Sequence, residues 1–111
     1  MDAALKALAE PRRREILRLV WIRELRSTDI ADHFADVTRS AISQHLGVLR
    51  EAGLVTERRD GTRRFYRAQH DEMAKLRAYL DDYWTSGLER LRDVAEAAER
   101  DTRDPEHKEH D

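Results

Sequence analysis

The chain has 111 residues, of which 40% are hydrophobic and 40% are charged, and it contains no cysteine. This length and apolar content suit a single domain with one modest core. Without cysteine, neither disulfides nor thiolate metal sites are available. The sequence has neither a signal peptide nor an apolar run long enough to span a membrane, so it predicts a soluble protein of the cytoplasm.

The net charge of −2 is distributed unevenly along the chain. Residues 1–11 carry a net charge of −1. Residues 12–67 carry 13 basic and 8 acidic side chains, a net charge of +5, whereas residues 68–111 carry 7 and 13, a net charge of −6. Such polarisation is compatible with nucleic-acid binding on one side of the molecule.

Two short helices are predicted at the start of the chain. The first covers Ala3–Ala9 and places Leu5 and Leu8 on one side. The second begins at Pro11, because proline is favoured at the first helical position, and its apolar spacing continues to about Leu25.

Three arginines, Arg12, Arg13 and Arg14, fall in the first turn of this second helix. Cations at a helix N-terminus oppose the macrodipole, so a compensating contact is expected for them. Two interpretations stay open: some of these side chains bind phosphate, or they pair with acidic residues of a C-terminal helix.

A helix-turn-helix arrangement is predicted in the middle of the chain. Its first helix has only two turns, is capped by Ser27 or Thr28, and turns Ile30, Ala31 and Phe34 inward. A tight connection over residues 35–37 leads into its second helix.

That second helix and its exit occupy Thr38–Val55. Thr38 is a suitable N-cap, and Gly53 stands where a helix would end in a left-handed residue. One side is apolar at helical spacing, with Ile42, Leu46 and Leu49. The opposite side is small and mostly uncharged, with Ser40, Ser43, Gln44, Gly47 and Glu51. Small side chains that donate and accept hydrogen bonds suit base edges in a DNA major groove, although a solvent-exposed helix rich in serine is the alternative.

A β-hairpin is predicted next. Its strands are Leu54–Arg59 and Thr62–Ala68, and Asp60-Gly61 between them is a strong turn signal.

Arginine side chains crowd the tip of this hairpin. A two-residue turn places Arg58 opposite Arg63 and Glu57 opposite Arg64, whereas a four-residue loop would change the pairs. Either register leaves the same four arginines at the tip: Arg58, Arg59, Arg63 and Arg64. They are suited to straddling a phosphate backbone, although basic side chains also protect edge strands from aggregation.

Helical spacing returns at Asp71 and continues for nearly thirty residues. The apolar stripe of this helix is longer than so small a domain can cover, so a second copy of the chain is expected to cover it, with the first helix as its companion in the interface. The expected dimer contacts are Leu5, Leu8, Leu76, Leu80, Tyr83, Trp84 and Leu88. The folded domain is expected to cover residues 1–100, and the polar tail over residues 101–111 is expected to be disordered.

These segments resemble the ArsR-type winged helix-turn-helix repressors of bacteria. The resemblance covers roughly Leu5 to Trp84, through ALKALAEPRRREIL, VTRSAISQHLGVLREAGLV and RRDGTRRFYR, followed by the aromatic-bearing last helix. It implies a mainly α fold with a small hairpin, in the order α-α-α-α-β-β-α. It also implies a homodimer paired through the first and last helices, with each Thr38 helix in a major groove of double-stranded DNA. The DNA contacts expected on this basis are Thr38, Arg39, Ser40, Ser43, Gln44, Arg58, Arg59, Arg63 and Arg64.

The chain departs from the family pattern at several positions. Relatives often carry proline where Ser40 stands and a long basic residue where Gly47 stands, so Gly47 either permits close approach to DNA or marks a lost contact. Metal-sensing members use cysteines near the third helix or Asp and His ligands on the last helix, whereas this chain has no cysteine and no histidine in its predicted last helix. His107 and His110 in the tail make only a weak metal pattern, without preorganised geometry.

The sequence therefore predicts a sequence-specific DNA-binding transcriptional regulator, a homodimeric repressor of a near-palindromic operator that needs no cofactor and does not respond to metal. A Gly-rich phosphate loop and a nucleophile paired with a base are both missing from the sequence, so no enzyme is expected. Two alternatives remain: a winged-helix module for protein–protein contact, and a repressor that responds to an unidentified non-metal ligand.

Overall fold

The computed structural model describes residues 1–103, with side chains as far as Asp101. The elements follow in the order α1 (Asp2–Leu8), α2 (Pro11–Leu19), β1 (Leu25–Arg26), α3 (Ser27–Asp32), α4 (Arg39–Glu51), β2 (Val55–Asp60), β3 (Arg63–Ala68) and α5 (His70–Arg103). The predicted mainly helical fold with a small hairpin is confirmed, and β1 is an addition to it. Residues 101–103 continue α5 instead of starting the tail, and the remaining tail, with His107 and His110, lies outside the described residues.

Two of the three arginines at the start of α2 close the C-terminal end of α1. Arg13 Nε donates to the carbonyl oxygen of Ala7 at 2.7 Å, and Arg14 Nη1 donates to that of Leu8 at 2.7 Å. These carbonyls belong to the last turn of α1, where helix carbonyls lack partners within the helix. Arg12 pairs instead with Asp36, at 3.3 Å. Pairing with the C-terminal helix was therefore the wrong interpretation.

Helix α2 ends at Leu19, six residues before the predicted end, because the following chain joins the sheet. The amide of Ala68 donates to the carbonyl of Val20 at 3.0 Å, and Leu25 pairs with Tyr66 across β1 and β3. The strand order is β1-β3-β2. A strand of two residues is too short to produce an alternating pattern, so β1 was not predictable from the sequence.

The caps of α3 and α4 differ. Ser27 is the first residue of α3 and Arg26 precedes it without a side-chain cap, so the predicted Ser27 or Thr28 cap is wrong. Thr38 does cap α4, with its Oγ1 accepting from the amide of Ala41 at 3.1 Å.

The hairpin turn lies one residue later than predicted. Gly61 and Thr62 form the loop, with Asp60 paired to Arg63, and only Gly61 of the two has a positive φ, +63°. A left-handed residue at the first central position is the pattern of a type II′ turn, which demands glycine there. The predicted pairing of Arg58 with Arg63 and of Glu57 with Arg64 is therefore wrong.

The core of the unit Met1–Leu76 lies between the helices and the sheet. Its most deeply buried large side chains are Ile16, Val20, Ile30, Ile42, Leu46, Leu49 and Leu54. Leu76, in the first part of α5, is 3% exposed and belongs to this core.

The second unit begins at Arg77 and consists, in its described part, of the rest of α5. None of its side chains up to Asp101 is buried within one chain. No helix within residues 1–103 combines the length and the apolar character needed to cross a membrane.

Candidate nucleic-acid interface

Helix α4 is held in place by one buried side. Ile42, Leu46 and Leu49 are at most 1% exposed and contact the core. At the C-terminal end, Gly53 has φ +79°, its amide donates to Arg50 and the amide of Leu54 donates to Leu49, each at 3.0 Å. This is a Schellman motif, as the glycine at this position predicted. The buried stripe and both caps fix which side of α4 faces outward.

The outward side carries Ser40, Ser43 and Gln44, and all three are exposed. None of these side chains has a hydrogen-bond or ion-pair partner among the described residues. Their hydroxyl and amide groups each donate and accept, and they are short enough for a base edge to come close. The structure thus presents unoccupied polar groups at the positions where the sequence predicted base contacts.

Two further predicted contacts at the start of α4 already have partners within the protein. Thr38 Oγ1 accepts the capping bond, which leaves its hydroxyl proton free to donate. Arg39 Nη2 lies 3.2 Å from Asp32 Oδ1, and both side chains are well exposed. An exposed pair of this kind contributes at most about 1 kcal/mol, so a phosphate can displace Asp32 from Arg39 at little cost.

The four hairpin arginines fall into two classes. Arg58 is held by Glu24, with Nη2 to Oε1 at 2.6 Å and Nε to Oε2 at 3.0 Å, and its guanidinium lies 4.4 Å from the Phe65 ring centre. The hydrogen bond from Arg58 keeps the pKa of the Glu24 carboxyl below its ordinary value. By contrast, Arg63 and Arg64 form no ion pair with any described residue.

Arg59 is likewise paired, with Glu57, at 2.8 Å from its Nε to Oε1. The other Glu57 oxygen accepts from Arg50 Nη1 at 2.6 Å and from the Tyr66 hydroxyl at 3.1 Å. These donors, Arg59 foremost, lower the pKa of Glu57 to about 2 against the opposing effect of its burial. Glu57 therefore joins α4, through Arg50, to both strands of the hairpin.

The roles of Glu24 and Glu57 in holding the hairpin arginines were missed by sequence reasoning. Glu24 lies 34 residues before Arg58, so no local pattern connects them. Glu57 could have been recognised only with the correct register, which places it opposite Tyr66.

Helix α5 contains a histidine that the predicted helix boundary excluded. His70 is its first residue, and its Nε2 lies 2.6 Å from the carbonyl oxygen of Trp21. That contact requires Nε2 to carry a proton and donate, and the rings of His70 and Trp21 are tilted by 40° with their centres 4.7 Å apart.

The chain is similar to known bacterial regulators over most of its length. Residues 10–57 match the family of bacterial regulatory proteins named arsR. The chain is 41% identical to the HTH-type transcriptional regulator Rv2034 of Mycobacterium tuberculosis over 78% of this chain and 80% of the relative. It is 33% identical to the arsenical resistance operon repressor of Staphylococcus xylosus over 78% of this chain and 82% of that relative.

A solved structure described as a possible transcriptional regulator for arsenical resistance is 46% identical to the chain, with a TM-score of 0.69 over 86% of this chain and 96% of that one. The relatives are transcriptional regulators and not enzymes. The fold, the polar face of α4 and these similarities lead to one conclusion. The chain belongs to the ArsR family of bacterial regulatory proteins and is a DNA-binding transcriptional regulator.

Proposed function

We propose that this regulator is a cytoplasmic, homodimeric repressor that reads a near-palindromic operator through the outer face of α4 and does not respond to metal ions. The observation that carries the proposal is the row formed by Ser40, Ser43 and Gln44. These side chains are exposed and have no protein partner in the described part of the chain, on a helix whose other side is buried.

Each of these side chains can form hydrogen bonds with the edge of a DNA base. A glutamine amide forms two hydrogen bonds to the N6 and N7 edge of adenine in the major groove, and a serine hydroxyl adapts to a donor or an acceptor. Arg39 at the start of the helix would exchange Asp32 for a phosphate. Arg63 and Arg64 in the hairpin would contact the flanking backbone, which positions the helix without reading sequence.

The homodimer is supported by the apolar stripe on the second unit. Leu80 is 46% exposed and Trp84 is 68% exposed, and the stripe continues at helical spacing through Leu88, Leu91 and Val94. A contiguous exposed row of large apolar side chains marks an interaction surface in a protein that must stay in water. An identical stripe on a second copy is the complementary surface that a twofold dimer provides.

The first unit has an apolar surface of its own. A groove between α1, α2 and the start of α5 is lined by Leu8, Leu17, Trp21 and Met73, and Ile22 at its edge is 79% exposed. Leu5 on α1 is also exposed. Leu76 is the exception among the expected dimer contacts, because its burial in the core of one chain leaves it little surface to offer a partner.

A dimer gives a geometric expectation for the operator. One helix reads only a few base pairs, whereas two copies related by a twofold axis read inverted half-sites about one helical turn apart, roughly 34–36 Å.

The chemistry of the side chains supports a regulator that does not sense metal. The chain has no cysteine, and His70, the histidine of α5, uses Nε2 to donate to the Trp21 carbonyl. The exposed carboxylates of α5, such as Asp81 and Asp82, are poor ligands by themselves for borderline-soft ions.

The test is to recover genomic fragments with the purified full-length protein, sequence them, and footprint the tightest fragment. The proposal expects two inverted protected half-sites, two chains per site, and log affinity falling linearly with log salt concentration. A single protected half-site, or binding without salt dependence, would overturn it.

A further inference from the structure

Gly47 lies in the interior of α4, where nothing in the protein calls for glycine. Glycine destabilises a helix interior relative to alanine. Its φ is not positive, since among the described residues only Gly53 and Gly61 have positive values. A Cβ built at Gly47 would meet no atom within 4 Å, so packing does not exclude a side chain either. The chain thus carries a helix-weakening residue that its own fold does not require.

The missing side chain opens a groove between α4 and α1. The groove measures about 720 Å³, and Gly47 lies among its α4 residues, next to Val48 and one turn from Gln44. Helix α1 contributes Ala3 and Lys6 to the opposite wall. Any larger side chain at position 47 would fill part of this space.

The residues that line the groove indicate what it binds. Gln44 lines the groove and also belongs to the exposed polar row of α4, so the groove continues directly from that row. Lys6 is exposed, and its side chain has no ion-pair partner among the described residues. Glu51 also lines the groove and opposes an anion, so the attractive end for an anion is the one next to Lys6.

From this arrangement we infer that the sugar-phosphate backbone of duplex DNA occupies the groove between α1 and α4, with Gly47 allowing the backbone to contact the helix directly and Lys6 neutralising one phosphate. The inference rests on the proposed entry of α4 into the major groove and extends the interface to α1. According to this inference, Gly47 allows the DNA backbone to approach α4 closely, although glycine makes the helix less stable.

The experiment measures thermal unfolding and DNA affinity on the same full-length variants. The probes are the tightest genomic fragment recovered with the unaltered protein and a random duplex of equal length. Gly47→Ala and Gly47→Met should raise the melting temperature by a few degrees, because both residues favour helix more than glycine does. Both should weaken binding to the two duplexes, the methionine variant by about five- to a hundredfold, because the added atoms occupy the space of the backbone.

Two further variants complete the design. Lys6→Gln should flatten the slope of log affinity against log salt by about one unit, as expected for one lost phosphate contact. Ser86→Ala is the matched control, since it improves helix propensity at an exposed position of α5 away from its apolar stripe and should leave affinity unchanged.

Gly47 variants that are more stable and bind DNA as well as the unaltered protein would overturn the inference. A second result would also overturn the inference: Gly47→Met changes the oligomeric state of the protein but keeps the DNA affinity per dimer. That result would show that the groove contacts protein and not DNA. Gln44→Ala distinguishes a failure of this inference from a failure of the proposed function. If Gln44→Ala weakens operator binding and the Gly47 and Lys6 variants do not, only this inference fails; if none of them matters, the proposed function fails as well.

Discussion

The carboxylate of Glu57 accepts a hydrogen bond from Arg50 Nη1 at 2.6 Å, which ties strand β2 to the last turn of α4. The Glu57 side chain is only 9% exposed, and Arg59 and Tyr66 donate to the same carboxylate. Three donors to one nearly buried carboxylate favour its ionised form. One acidic group therefore links the hairpin to α4.

This network predicts a specific dependence of stability on pH. The folded pKa of Glu57 is about 2, below the ordinary value of 4.5, so its contribution is fully present above pH 4.5 and is lost as the pH falls through 2. We expect Glu57→Gln to lower the free energy of unfolding at pH 7 by on the order of 1–2 kcal/mol, after allowance for solvent screening. Urea titrations should show the difference between the two proteins shrinking from pH 4.5 towards pH 2. A difference that is constant over this range would contradict the network.

The two classes of hairpin arginine predict different salt dependences. Replacing Arg63 and Arg64 with alanine should weaken binding to all sequences and flatten the slope of log affinity against log salt by about one to two units. Replacing Arg58 and Arg59 should flatten it less, because these side chains must first leave Glu24 and Glu57 to neutralise a phosphate. Fluorescence anisotropy over a salt series measures both slopes. Equal changes for the two pairs would show that the carboxylates do not restrain the arginines.

The proposed dimer makes a prediction at Leu80. Leu80→Glu places a charge in the apolar stripe of α5, which should weaken association by several kcal/mol, because a carboxylate loses its hydration in an apolar interface. Sedimentation should show monomer at micromolar concentration together with a large loss of operator affinity. Ala78→Glu introduces the same charge on the opposite side of the helix and should remain dimeric. Dimers of normal affinity in both variants would place the interface elsewhere.

The proposed lack of metal response is tested directly on the DNA complex. Adding Zn²⁺, Cd²⁺ or arsenite at micromolar concentration should leave operator affinity within about twofold, since the chain offers no thiolate ligand. The same titration with an excess of chelator serves as the control. Release of the operator by one of these ions, reversed by the chelator, would show that the regulator senses metal.

Much of the fold followed from local signals in the sequence. Pro11, Thr38 and Gly53 each mark a helix boundary through a backbone requirement that one residue satisfies, and all three boundaries are confirmed. The apolar spacing of Ile42, Leu46 and Leu49 correctly assigned the buried side of α4, and hence its outer face.

The errors arise where distant parts of the chain decide the structure. The end of α2 depends on pairing between Leu25 and Tyr66, 41 residues apart. The hairpin register depends on which turn position Gly61 occupies, and local pattern does not distinguish the two choices. The restraint of Arg58 by Glu24 is likewise a tertiary contact, which the number of arginines at the tip does not reveal.

The central claim is that the outer face of α4 reads sequence, and Gln44→Ala tests it most directly. Affinities for the recovered operator and for a random duplex of equal length are measured at the same salt concentration, with Gln69→Ala, the only other glutamine of the chain, as the control. The account predicts that Gln44→Ala loses about 1–3 kcal/mol on the operator and almost nothing on the random duplex, because a base contact is lost while the phosphate contacts remain. Equal losses on the two duplexes, or no loss on the operator, would contradict it.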